Sequence, residues 1–270
     1  MARPVKEFHN YLIKDTERHV THDDYIESPA TAFLRYTLEA KDATNYCISH
    51  FNTKNDGSLY SDAKDSLQHI LTAFLPAIMG HFETYQRYLF AGVFENSTLL
   101  DDFDPNYFMQ KVKKKHKVEI DPKQLLAYRG QGASVGVLLA DNMPGWHDPN
   151  RVNQYFKAFG FKTCFFSSDQ CDRLETLWQL RHSIVHTGGT ITRSDAQKVE
   201  ELKQYGDKPI VFDDNFIFEV SRKMHPLVED STGRIEDCFR DRMASNLDND
   251  VEERIDRLFE VKSSVHVWLK

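Results

Sequence analysis

One stretch restricts the fold of this chain more than any other. It is "SLYSDAKDSLQHILTAFLPAIMGHFETYQRYLFAGVF". Within it Leu67, Leu71, Phe74, Ile78, Phe82, Tyr85 and Leu89 recur at spacings of three and four. That spacing places all seven on one face of an α-helix and is incompatible with the alternation of a half-buried strand. A helix over about 60–94 needs other apolar helix faces to cover its stripe, so the chain is read as an all-α bundle. Pro76 lies inside the stripe, and a bend is expected near Leu75 because an interior proline removes a helical hydrogen bond.

Three further segments supply the partners. Ser28 followed by Pro29 reads as an N-cap and first helical position, opening a helix over about 29–52 with Phe33, Leu34, Tyr36, Leu38, Ala40 and Tyr46 as apolar or aromatic positions. "SDQCDRLETLWQLRHSIVHTGG" reads as a helix over about 168–187, capped by Ser168 or Asp169 and stopped at Gly188 and Gly189. Its apolar positions are Leu174, Leu177, Trp178, Ile184 and Val185. A last long helix is expected over about 213–246, bent at Pro226 and Gly233, followed by the amphipathic "DVEERIDRLFEVKSS". The first 28 residues read as polar and aperiodic. "RSDAQKVEELKQYG" reads as a short polar helix and "KPIVFDDNFIFEV" as a small hairpin. Between the second and third core helices, about 96–167 reads as an irregular, partly helical insertion, with helical pieces at 105–116, 122–128 and 149–158 and loops at "YRGQGAS" and "DNMPGWHDPN". The whole chain, 1–270, is taken as one domain.

Composition excludes several function classes. The net charge of −7 argues against a general polyanion binder, leaving nucleic acid only a local basic patch, for which the run "KVKKKHK" is one candidate, most simply a solvated helix face or loop. No segment reaches the apolar length of a membrane span, so no membrane partner is expected. The N-terminus lacks a secretory core, and Cys47, Cys164, Cys171 and Cys238 form no C-x-x-C pair. Reduced thiols and a cytoplasmic location are the expectation.

The chemistry concentrates in "LWQLRHSIVHTGG". His182 and His186 lie four apart and share a helix face, which suits a metal, but zinc needs a third protein ligand, and Ser183 stands where H-E-x-x-H would place its glutamate. No metal and no cofactor is therefore expected. Arg181 and His186 lie about 140° apart around the helix. One helix cannot aim both at one group, though both can line a cleft shared with another helix or subunit. An always-charged arginine beside a histidine that titrates near neutrality suits phosphodiester chemistry. The plainer reading is a set of cations stabilising the negative end of the helix dipole. Weaker candidates are "DDFDP", where Asp104 before Pro105 reads as an N-cap; "GQG", which lacks the setting of a phosphate loop; "GWHDP" around His147, a turn; and Cys171, a core thiol without a local base.

The string Arg181-His182-Ser183-Ile184-Val185-His186, with Thr187-Gly188-Gly189 after it, resembles the signature of the HEPN superfamily (higher eukaryotes and prokaryotes nucleotide-binding domains). That signature is an arginine, a polar residue, an apolar pair and a histidine at the end of a long helix. The resemblance centres on 168–189 and extends weakly to the other core helices. It implies an all-α, HEPN-type helical bundle with an inserted middle. It further implies a metal-independent endoribonuclease, in which His186 acts as general acid or base, Arg181 stabilises the charged phosphorane and His182 positions the phosphate or a partner side chain. Family resemblance also implies RNA as substrate, a homodimer that pairs two such helices, a cognate inhibitor protein and a toxin or antiviral role. Glu83 and Arg87 fit a supporting acidic–basic pair on an earlier helix, and equally an ordinary i,i+4 ion pair. The alternative is a non-catalytic HEPN-like module that binds a nucleotide or a protein, and a zinc enzyme built on His182 and His186 comes third.

Overall fold

The computed structural model describes residues 20–116, 134–245 and 247–262. Helix α3, Ser61–Glu95, is its axis, and the seven-residue stripe faces inward: Leu67, Leu71, Ile78, Phe82, Tyr85 and Leu89 are completely buried, and Phe74 packs half-buried beside them. The helical run is unbroken at Pro76. Leu75 and Ile78 on either side are fully buried, so packing on both flanks holds the helix across the hydrogen bond that proline cannot make.

Helix α2, Pro29–Ser49, lies along α3 and begins at the proline, as the Ser-Pro pair suggested. The Ser28 side chain, however, does not cap α2; its hydroxyl donates to the Glu260 carbonyl at 3.2 Å. Ahead of it, the stretch read as aperiodic holds a short helix, α1 (His22–Glu27). Thr21 and Asp24 form a reciprocal capping box, and Tyr25 is buried against the bundle.

The middle of the chain builds part of the core. Helix α4 (Pro105–His116) is capped by Asp104, whose carboxylate accepts from the Asn106 and Tyr107 amides. Helix α5 (Val135–Asp141), which periodicity did not indicate, starts at Ser134 and packs so closely on α3 that a Cβ at Gly136 would meet the Ala91 carbonyl at 2.5 Å. Helix α6 (Pro149–Lys157) is capped by Asp148. The expected piece at 122–128 and the "GQG" run lie outside the described residues. Phe90 of α3 is ringed by Phe108, Trp146, Tyr155, Phe156 and Phe159, so α4, α6 and the loops around them share one continuous core with the long helices.

Helix α7 spans Ser168–His186. Its N-cap is Ser167, one residue earlier than the sequence suggested, in a capping box with Gln170. Beyond α7, strand β1 (Thr190–Ile191) pairs antiparallel with β2 (Lys208–Pro209). The expected hairpin within "KPIVFDDNFIFEV" is therefore replaced by one that joins its first residues to the end of α7. The excursion between the strands is helical only at α8 (Arg193–Ala196) and in a 3-10 stretch at Glu200–Tyr205. It is not merely polar: Ile191, Ala196, Val199 and Leu202 form a small apolar cluster leaning on Leu180 and Ile210. Helix α9, Phe216–Arg240, runs unbroken through Pro226 and Gly233 and packs on α2 and α3. Its tie to α3 includes the buried Tyr85 hydroxyl, 3.1 Å from Ser231 Oγ and 2.8 Å from Thr232 Oγ1. Helix α10 (Asn249–Phe259) closes the described chain. Among the described residues, the strands form only this two-stranded sheet and the cysteines are free thiols. No described helix is long and apolar enough to cross a membrane.

Candidate active site

The end of α7 is shaped by one carbonyl. Ser183 O accepts from the Thr187 amide (3.1 Å), the Thr187 hydroxyl (2.8 Å) and the Gly189 amide (3.0 Å). Closing that last bond requires the chain to reverse at once, and both glycines do so with φ of 64° and 81°. L-side chains avoid that region, which is why two glycines stand here. The Gly189 carbonyl then accepts from the Ile210 amide at 2.7 Å, clamping the returning strand onto the helix end. The final turn of α7, carrying His182 and His186, is thus fixed from its C-terminal side.

Upon this frame the side chains divide cleanly. Ser183 is fully buried and Trp178 nearly so, facing the bundle. His182 and His186 are exposed, and their rings lie 4.7 Å apart between centroids. Val185, read as an apolar position of the helix, is 47% exposed. It stands on the same outward side as the histidines. Arg181 is half-buried; its Nε is shut off from water without a hydrogen-bond acceptor, and no ion pair reaches it among the described residues. An arginine whose charge is unmatched retains its capacity to bind an anion.

A carboxylate that the sequence did not single out lies near His182. Asp195, at the start of the excursion after β1, is almost fully buried and accepts from Lys198 Nζ at 2.7 Å and from Thr192 Oγ1 at 3.0 Å. The Lys198 ammonium holds its carboxyl below the usual carboxylate range; Thr192 and the charge of His182 act in the same direction, against burial. The only local signal was the T-x-x-D spacing of a helix cap, which says nothing of a neighbouring histidine.

Glu83 and Arg87 form the ion pair their spacing allows, and Arg87 also reaches Asp141 of α5 at 3.6 Å. Neighbouring Phe82 and Tyr85 pack on Phe166 and Phe165, which immediately precede α7. Arg181 lies about 20 Å further along the α7 axis from that point, at about 1.5 Å per residue. No hydrogen bond or ion pair joins Glu83 or Arg87 to Arg181, His182 or His186 among the described residues. His147 sits on its turn with its ring 6.1 Å from that of Trp178. Burial pushes the Cys171 thiol up to about 11, the behaviour of a core cysteine. Among the described residues no three His, Cys, Asp or Glu side chains converge as a metal site.

Comparison with known proteins gives one result for the family: the RiboL-PSP-HEPN model matches residues 38–208, well over half of the chain, from α2 to the first residue of β2. No curated protein and no solved structure matches it. The matched span contains the second half of α2, all of α3, the middle helices and the whole Arg181–His186 string, and the helical bundle agrees with it. The chain belongs to the RiboL-PSP-HEPN family, within the HEPN superfamily.

Proposed function

We propose that the protein is a metal-independent endoribonuclease acting through Arg181, His182 and His186. The observation that carries this reading is the end of α7: an arginine without a carboxylate partner among the described residues and two exposed histidines, on a helix turn pinned by Ser183 O, within a HEPN family member. RNA brings its own nucleophile. The ribose 2′-hydroxyl gives up its proton to a base and attacks the adjacent phosphorus. The P–O5′ bond breaks, and the leaving oxygen takes a proton from an acid. Products are a 2′,3′-cyclic phosphate and a 5′-hydroxyl. His186 moves protons in this scheme, Arg181 neutralises the phosphorane, and His182 positions the phosphate.

Because Arg181 and His186 point about 140° apart, we further propose a two-fold homodimer in which two α7 ends meet and each subunit completes the other's site. Exposed Val185, four residues after Arg181 and next to His186, suits such a contact. A role as a toxin or antiviral effector, held in check by a cognate inhibitor protein, would follow from that activity in a cytoplasmic setting.

A second reading, a non-catalytic module that binds a nucleotide or protein, is favoured by one observation. The long groove beside α7 is lined only as far as Leu180 and leaves Arg181, His182 and His186 outside it. The two readings part in one assay. Purified protein with labelled RNA should give cyclic-phosphate ends in excess EDTA, and His186→Ala should lose roughly a hundredfold or more in rate while melting normally. A folded His186→Ala protein that cleaves at the wild-type rate would sink the proposed role; activity lost on chelation and restored by zinc or magnesium would require a metal mechanism.

A further inference from the structure

A groove of about 800 Å³ runs between α7 and α9. Its open apolar surface is made by half-buried Leu177 and Leu180 on one side and half-buried Phe216 on the other, with Leu174, Val220, Met224 and Leu227 buried beneath them. Along α9 it extends from Phe216 to Arg234. At about 1.5 Å per residue that is about 27 Å, the length of a helix of roughly five turns. An apolar trough of that length on a helical protein is the shape that receives another amphipathic helix.

The rim says which helix. Asp172 and Glu201 line the groove, are exposed, and have no ion pair among the described residues. Asp230 accepts only a 3.4 Å hydrogen bond from the Gln170 amide. Other rim charges cancel locally: Asp169 with Arg173 at 2.7 Å, and Glu219 with Arg222 at 2.6 Å. Arg234 is engaged with the Phe165 carbonyl and Gln170. Those partners are neutral, so Lys223 and Arg234 are the remaining rim cations among the described residues, two against the three carboxylates Asp172, Glu201 and Asp230. The excess of carboxylates is felt by a neighbour. The Glu175 carboxyl is raised above its ordinary value, first by burial and then by the charges of Asp172, Asp148 and Glu201. The rim therefore carries a net negative charge, which favours a cationic partner over nucleic acid.

We infer that this groove docks an amphipathic helix of a partner protein, its aliphatic stripe on Leu177, Leu180 and Phe216 and its lysine or arginine flanks against Asp172, Glu201 and Asp230. Leu180 directly precedes Arg181, so the docked helix ends within one turn of the candidate active site. The inference stands whether or not that site cleaves RNA.

The test uses the full chain and a fluorescein-labelled leucine–lysine peptide of about 18 residues with leucines at i, i+3, i+4 and i+7, read by anisotropy at physiological salt. Wild type should bind it with a micromolar Kd, and Asp172→Lys/Glu201→Lys should bind roughly tenfold more weakly or worse. Both positions are exposed, and a melting curve checks that the variant is folded. A leucine–glutamate peptide with the same stripe should show the opposite preference. Hydrogen exchange should slow on peptide binding along 172–180 and 220–230. Equal affinity of both proteins for both peptides, or protection elsewhere, overturns the inference. So does light scattering that finds a wild-type dimer lost in the double variant, because a second copy would then fill the groove.

Discussion

Replacing Gly188 and Gly189 together by alanine should loosen the end of α7 at a cost that can be worked out from the backbone. Both residues hold positive φ, 64° and 81°, and an added Cβ would meet nothing within 4 Å at either one. No clash enters, so the penalty is conformational. A left-handed alanine costs roughly 1–2 kcal/mol. Alanine also narrows the unfolded ensemble, returning about 0.4–1 kcal/mol per site. The double variant should then lose about 1–2 kcal/mol, a fall in Tm of about 2–8 °C for a domain of this size. The loss should be local first. Gly189 donates to Ser183 O and receives the Ile210 amide, so amide exchange of Ser183–Thr187 and Ile210 should quicken before the rest of the bundle responds. RNA cleavage, measured well below the melt, should fall by more than the change in folded fraction explains. Asparagine at Gly188, which tolerates left-handed backbone, should cost less than alanine there. A double alanine variant that melts within about 1 °C of wild type, with unchanged exchange at Ser183–Thr187, would refute the reasoning.

Tyr85→Phe should destabilise by about 1–2 kcal/mol, because it removes the buried hydroxyl shared with Ser231 and Thr232 across α3 and α9; a Tyr85→Phe protein at least as stable as wild type would show that this link contributes nothing. Burial lowers the pKa of His225 against the opposing charge of Glu229, so the folded state resists a proton that the unfolded chain accepts. Stability should accordingly be full above the ordinary histidine pKa, near 6.5, and fall as pH drops below it toward the folded value. His225→Gln should flatten that part of a stability-versus-pH curve, and an unchanged curve would rule His225 out as the cause. If the active site is composite, mixing Arg181→Ala and His186→Ala subunits should restore about a quarter of wild-type cleavage, since half the dimers are mixed and each of those holds one intact site. No recovery after subunit exchange would mean that each subunit works alone.

The parts of this molecule that could be read from the sequence are those in which local chemistry and tertiary demand agree. The Leu67–Leu89 stripe is such a case, since seven positions at helical spacing have one inward face and the structure buries it. The Ser-Pro start of α2, the Asp104 cap and the stop at Gly188–Gly189 are others. Neither proline ends its helix, because its cost is local while the remedy is not: buried Leu75 and Ile78 carry α3 through Pro76, and α9 passes Pro226 with Met224 and Val228 buried around it. Short elements failed for the opposite reason. Thr21-x-x-Asp24 opens a helix of only six residues, too short for a periodic signal, yet it holds Tyr25 in the core. Strand pairing failed because alternation identifies a strand and not its partner, and the partner of Lys208–Pro209 is chosen by the glycine reversal that leads into β1. The same limit governs the site. The Arg181–His186 string is contiguous, so its residues could be named from the sequence. Asp195 near His182, and the groove beside Leu177 and Leu180, exist only once separate helices and strands have packed. In the sequence those leucines are indistinguishable from a core stripe; in the fold they remain partly exposed, next to carboxylates that make no ion pair among the described residues. A leucine left uncovered beside unmatched charge is most directly explained by a surface that meets something, which is why the outward side of α7 offers two separate predictions: one at its last turn, for a phosphate, and one along its flank, for a basic helix.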